Sequence, residues 1–282
     1  MTDPAAPGPA VAPSPGPRDV HAGWHPAEWT AELAGTALLV LGGLSAIALD
    51  FGSGSTVARL LPSASARLLV TGVRFAGTGS LVAVSPLGRR SGAHLNPAVS
   101  LAFWRLDHLH PGDLAGYVAA QLVGALAGAG LASGLWGHRL ASAGSGVTQP
   151  GAHIGPAETA VLEAMMTALL VLLILAMVSS DRTARWTPLA VWVLIATLVW
   201  QLAPRTGTSL NPARSLGPAL AAGRFHDLPL YLVAPLVGSL LATTLWLVVI
   251  RRPLATAKIF HDPSYPSVVR SSMPAMPPTR RA

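Results

Sequence analysis

Gly92-Ala-His-Leu-Asn-Pro-Ala-Val-Ser100 and Thr208-Ser-Leu-Asn-Pro-Ala-Arg-Ser215 carry one shared core, Leu-Asn-Pro-Ala, at two distant places in the chain. Each is followed by a short apolar run, residues 98–104 and 213–222. Asparagine is a favoured helix N-cap, and proline is favoured at the first helical position. Asn96-Pro97-Ala98 and Asn211-Pro212-Ala213 therefore each predict the capped start of a helix. Neither run approaches the roughly 20 apolar residues that a bilayer-crossing helix needs. A short, capped, apolar helix set between long apolar spans reads as a half-helix that enters a membrane and turns back.

The surrounding chain has the composition of a membrane protein. Of 282 residues, 51% are hydrophobic and only 11% are charged, against about a quarter charged in an average soluble domain. Six stretches can span: residues 29–49, 67–86, 113–136, 159–179, 186–202 and 228–250. There is no cysteine, hence no disulfide, thiolate metal site or cysteine nucleophile. The net charge of +7 comes from arginines in tails and short loops, without a nucleic-acid-binding motif. No HExxH or GxSxG pattern and no paired catalytic carboxylates point to an enzyme. No cofactor is implied. Residues 1–27 and 254–282 read as disordered Pro/Ala-rich or polar tails, leaving 28–253 as the folded unit.

The duplication extends beyond the Asn-Pro-Ala core. Glu32-Leu-Ala-Gly-Thr-Ala-Leu-Leu-Val40 parallels Glu163-Ala-Met-Met-Thr-Ala-Leu-Leu-Val171, and Gln121-Leu-Val-Gly-Ala-Leu parallels Pro235-Leu-Val-Gly-Ser-Leu. The halves, about 28–136 and 159–250, hold three spans each, an odd number. The second copy must therefore enter from the opposite side, which makes an inverted repeat, with its site where the interrupted segments meet. The expected fold is an all-α membrane protein: six transmembrane helices and two re-entrant half-helices. Arg89, Arg90, Arg182, Arg185, Arg251, Arg252 and Lys258 fall on one side with both termini; Arg59, Arg139 and Arg205 fall on the other. The excess of basic residues predicts cytoplasmic termini. The Ala-, Gly-, Pro- and Arg-rich usage suggests a GC-rich bacterial genome, and the expected location is that bacterium's inner membrane.

Two inverted half-helices would meet near the midplane, each N-terminus carrying roughly +0.5 charge. Together they repel cations, and the Asn96 and Asn211 amides can donate to a passing oxygen. Proton exclusion by facing half-helix dipoles is an established feature of some membrane pores rather than a deduction from this chain.

On SGAHLNPAV, GTSLNPARSLGPAL, the ExxxTALLV start of each half and AAQLVGA, residues 28–250 resemble the aquaporin, or major intrinsic protein, family. The resemblance implies a homotetramer with one pore per subunit and passive flow of water or small neutral solutes. It implies a four-residue constriction that falls, counted without gaps, on Ala76, Val199, Thr208 and Arg214. Arg214 matches the family's arginine. Ala76 and Val199 stand where strict water channels resemble Phe and His, which predicts a wider, less polar filter that admits glycerol, urea or neutral metalloid hydroxides beside water. A shift of one residue would instead put Phe75 in the filter. Ser215 and Ala219 resemble the water-channel type. His94 is expected in the inner vestibule, and Glu32 and Glu163 are expected to hold the loops by accepting backbone hydrogen bonds. The rival readings are a solute facilitator in which water is secondary, and a proton-coupled transporter in which one of these glutamates titrates. Arg74 has three readings: snorkelling, pairing with Asp50, or charge at the outer vestibule.

Overall fold

The computed structural model describes residues 25–254. The tail readings for the remaining stretches, and Lys258 with them, lie outside the described residues. All six expected spans form: α1 (Pro26–Phe51), α2 (Ala64–Val84), α4 (Pro111–Trp136), α5 (Pro156–Val178), α6 (Thr187–Thr206) and α8 (Leu228–Leu245, with a π turn at Trp246–Ile250). Between them stand two half-helices, α3 (Pro97–Arg105) and α7 (Pro212–Ala222). Proline lies at the first or second position of all of these except α2. Its fixed φ is already helical and its missing N–H would be unsatisfied there in any case.

Most span boundaries differ from the sequence reading by one to four residues, and two of these differences matter. The stretch read as tail ends earlier: α1 begins at Pro26, and His25 before it is buried with Nδ1 2.9 Å from Asp113 Oδ1 on α4. α6 continues past residue 202 to Thr206, through Pro204. A proline so near a helix end sacrifices little backbone bonding.

The inverted repeat is visible in how the helices pair. α1 packs on α2 and α4; α5 packs on α6 and α8; and α2 against α6 joins the halves. Each half-helix reaches across to the other half while still packing on its own: α3 lies against α8 as well as α4, and α7 against α4 as well as α8. Matching glycines allow the spans to approach. A β-carbon on Gly124 would stand 2.3 Å from the Leu33 carbonyl oxygen, and one on Gly238 would stand 2.1 Å from that of Ala164. Small residues at such crossings bring backbones together in the way typical of membrane bundles. Large side chains such as Leu81, Met165, Val193 and Leu241 point outward and are exposed, an apolar rim suited to lipid or to neighbouring subunits.

Candidate functional site: two loops meeting in one cavity

Both loops use one backbone design. Gly92 and Gly207 end the preceding helices in the left-handed region, at φ 89° and 80°. Ala93 and Leu95, then Thr208 and Leu210, also take positive φ, between 48° and 54°. Non-glycine residues are uncommon there, and such strain persists only where surrounding structure holds it. The holding groups are the two glutamates. Glu32 accepts from the N–H groups of His94 (3.0 Å) and Leu95 (2.7 Å), and Glu163 from those of Ser209 (3.0 Å) and Leu210 (2.9 Å). Both carboxylates are fully buried.

Two tyrosines add a second clamp. Tyr117 Oη donates to the Ser91 carbonyl (2.7 Å) and Tyr231 Oη to that of Thr206. The sequence reading did not assign this role, although each tyrosine stands four residues before a repeated dipeptide pair, Gln121-Leu and Pro235-Leu. The halves diverge at that point. Gln121 Nε2 donates to Glu32 (2.7 Å) and to Ser100 Oγ (2.9 Å), which Pro235 cannot copy.

The Asn-Pro-Ala segments meet head to head. Asn96 Oδ1 accepts from Ala98 N (2.9 Å); Asn211 Oδ1 accepts from Ala213 N (3.0 Å) and Arg214 N (3.3 Å), so both residues are true N-caps. Each side-chain amide also crosses the seam. Asn96 Nδ2 donates to the Leu210 carbonyl (2.9 Å), and Asn211 Nδ2 to the Leu95 carbonyl (2.8 Å). An amide NH2 carries two donors, so one ties the loops together and the other can serve an oxygen in the cavity. Both asparagines line that cavity, which has a volume of about 500 Å³.

A model of the family described as Major intrinsic protein matches residues 25–246. The chain belongs to the major intrinsic protein family. It is 33% identical over 167 residues to a probable aquaporin, AqpM, of Archaeoglobus fulgidus, covering 57% of this chain and 68% of that one. It is 34% identical over 226 residues to Aquaporin Z of Brucella melitensis, covering 77% and 95%. In fold it is similar to an aquaglyceroporin from Plasmodium falciparum, with a TM-score of 0.65 at 23% identity over 80% of this chain and 97% of that one. Like the family, the protein is a multi-pass membrane channel and not an enzyme.

Val199, Thr208 and Arg214 all border the cavity. Arg214 is buried and donates through Nη1 to the Gly146 carbonyl (2.9 Å) in the loop joining the halves, a partner the sequence reading had not named. On α2 the picture departs from the gapless count. Ala76 borders the cavity but lies in register with Gly72 and Ser80, which face α6: a β-carbon on Gly72 would meet the Ala196 oxygen at 2.7 Å, and Ser80 Oγ donates to the Pro188 carbonyl (2.8 Å). Phe75, about 100° further round the helix, brings its ring into the cavity wall 5.3 Å from the Arg214 guanidinium carbon. Both α2 candidates therefore line the cavity, and Phe75 is the one whose ring stands next to Arg214.

His94 also touches the cavity, yet its ring is fixed on the helix side. It stacks on Phe103 (4.7 Å between centroids), meets Tyr117 edge-on (5.2 Å), and places Nδ1 3.1 Å from Ser100 Oγ. Of the three readings for Arg74, pairing holds: it forms an ion pair with Asp50, which is buried and also accepts from Thr71 Oγ1 (2.7 Å).

Proposed function

We propose that this channel conducts water first, excludes protons and other ions, and works as a homotetramer in a bacterial inner membrane with both termini cytoplasmic. The observation that supports the reading is that the two loop-bridging asparagines, Arg214 and the Phe75 ring beside it all line one cavity. Water moving through gains donors from the amides and the guanidinium in place of bulk hydrogen bonds. The apolar wall of Phe75, Ala76 and Val199 binds it on no other side. The half-helix N-termini and the Arg214 charge each disfavour a cation in the cavity.

Val199 favours a second reading, a facilitator for glycerol, urea or neutral metalloid hydroxides. It leaves one wall apolar and free of an imidazole, a surface that suits the carbon edge of a polyol. Phe75 opposes that reading by placing a ring in the cavity wall beside Arg214. The test is stopped-flow light scattering on proteoliposomes, comparing water with urea and glycerol. Fast, weakly temperature-dependent water flow with little solute flow is expected, and Phe75→Ala should raise urea and glycerol flux. Vesicles that shrink no faster than empty ones would sink the water reading. Solute flux already high in the native protein and unmoved by Phe75→Ala would favour the facilitator.

A further inference from the structure

Phe75 reaches the cavity because α1 carries no side chain where its ring lies. A β-carbon built on Gly43 would stand 2.3, 2.4 and 2.5 Å from Phe75 Cε2, Cζ and Cδ2. Carbon atoms in good contact sit about 3.5–4.0 Å apart, so the ring occupies the space a methyl group at position 43 would need. Arg214 stands over the ring, its guanidinium carbon 5.3 Å from the centroid. The ring is thus held between the bare backbone of α1 and the arginine of the constriction. We propose that Gly43 is a positioning residue for the filter: the missing side chain on α1 sets how far the Phe75 ring projects toward the permeating solute. The inference rests on the reading of Phe75 as a filter wall and adds that its depth is set from α1.

Two sets of contacts keep α1 from backing away. Toward one end Asp50 is tied to Thr71 and Arg74 of α2. Toward the other, Glu32 holds α1 to the first Asn-Pro-Ala loop by accepting from the His94 and Leu95 N–H groups at 3.0 and 2.7 Å. With α1 pinned on both sides of residue 43, an added methyl moves the ring toward Arg214 rather than parting the helices. The neighbouring glycine supplies a control. A β-carbon on Gly42 would meet Thr78 Cγ2 and Oγ1, both at 2.6 Å, and Thr78 is not among the residues lining the cavity. The same methyl at Gly42 meets Thr78 first, so its burden falls on the α1–α2 contact.

The experiment reconstitutes full-length channels and reads water and urea flux per inserted channel. Gly43→Ala is expected to lower water flux about tenfold, the effect of roughly 1.4 kcal/mol of added barrier, while Gly42→Ala leaves the urea-to-water ratio unchanged. The double variant Gly43→Ala/Phe75→Ala should recover the flux of Phe75→Ala alone. Native flux in Gly43→Ala, or a double variant as slow as Gly43→Ala, would overturn the proposal. If Gly43→Ala fails to insert, the comparison moves to Phe75→Leu, in which part of the slot is open. There, adding Gly43→Ala should lower urea flux below that of Phe75→Leu, and no change overturns the proposal. Phe75→Ala without any gain in urea flux would sink the filter reading itself. A gain in Phe75→Ala beside a neutral Gly43→Ala would sink only the role given to Gly43.

Discussion

At the scale of single residues, Arg214 combines three partners: the Asn211 cap at its own N–H, the Gly146 carbonyl at Nη1, and the Phe75 face. Its guanidinium is therefore fixed in place, and a fixed positive charge is a barrier to cations of any size that fits. Arg214→Val should keep water flow and raise proton or cation leak, read with a pH-sensitive dye inside proteoliposomes; an unchanged leak would show that the half-helix dipoles suffice. Thr208 stands beside it on the cavity wall, and the chain has no cysteine. Native water flow should therefore resist HgCl2, and Thr208→Cys should make it sensitive. A resistant Thr208→Cys channel would argue that this side chain turns away from the water path. The places of Arg214, Val199 and Thr208 on the cavity wall were legible because a constant spacing from Asn211 runs through one continuous loop and helix. On α2 the sequence left Ala76 and Phe75 both open. Their distance from Asn96 crosses a helix, a short turn and a loop, and the count is silent about which side of α2 faces α1, α6 or the cavity. That choice is made by Gly72 and Ser80 packing on α6 and by the empty place at Gly43.

At the scale of elements, the two re-entrant loops are strained segments pinned by buried carboxylates. Glu32→Ala would leave the His94 and Leu95 N–H groups without their acceptor. Each unsatisfied buried donor costs about 1–3 kcal/mol, so thermal stability in detergent should fall sharply, and Glu32→Gln, which keeps one acceptor oxygen, should fall less. Glu163→Ala should behave alike, because its bonds to Ser209 and Leu210 repeat the pattern. Equal tolerance of Ala and Gln at these positions, together with solute accumulation driven by a pH gradient, would favour proton coupling over scaffolding. The half-helices and their caps could be read from the sequence because Asn-Pro is a strong local start signal. The tyrosine clamps could not, since a lone tyrosine in an apolar span gives no hint of which carbonyl it meets. The swap of each half-helix onto the closing span of the other half also has no local signature.

At the scale of the whole molecule, the six spans and the repeat were legible because lipid imposes a length and an apolar content on each crossing, and because the halves still share short words. Tertiary capture of a residue such as His25 carries no such mark. A molecule-wide stability measurement follows from the loop between α3 and α4. Burial pushes His108 below the usual histidine value, and Asp107 beside it pulls part of the way back. A histidine depressed in the fold binds fewer protons there than in the unfolded chain. Stability should therefore be full above about pH 6.5, the ordinary histidine value, and be lost progressively below it. The melting temperature in detergent should drop from pH 7.5 to 5.5, and His108→Gln should flatten the drop; an equal slope in both would assign it to other groups. The cross-seam amides have a consequence for biogenesis. The carbonyl that Asn96 needs belongs to Leu210, 114 residues later, and the carbonyl that Asn211 needs belongs to Leu95. A ribosome that has delivered only the first three spans has made a loop whose bonding cannot yet be completed. The first half must wait in the membrane, its turn unsealed, until the second loop arrives, and the two loops close one another in a single late step of assembly.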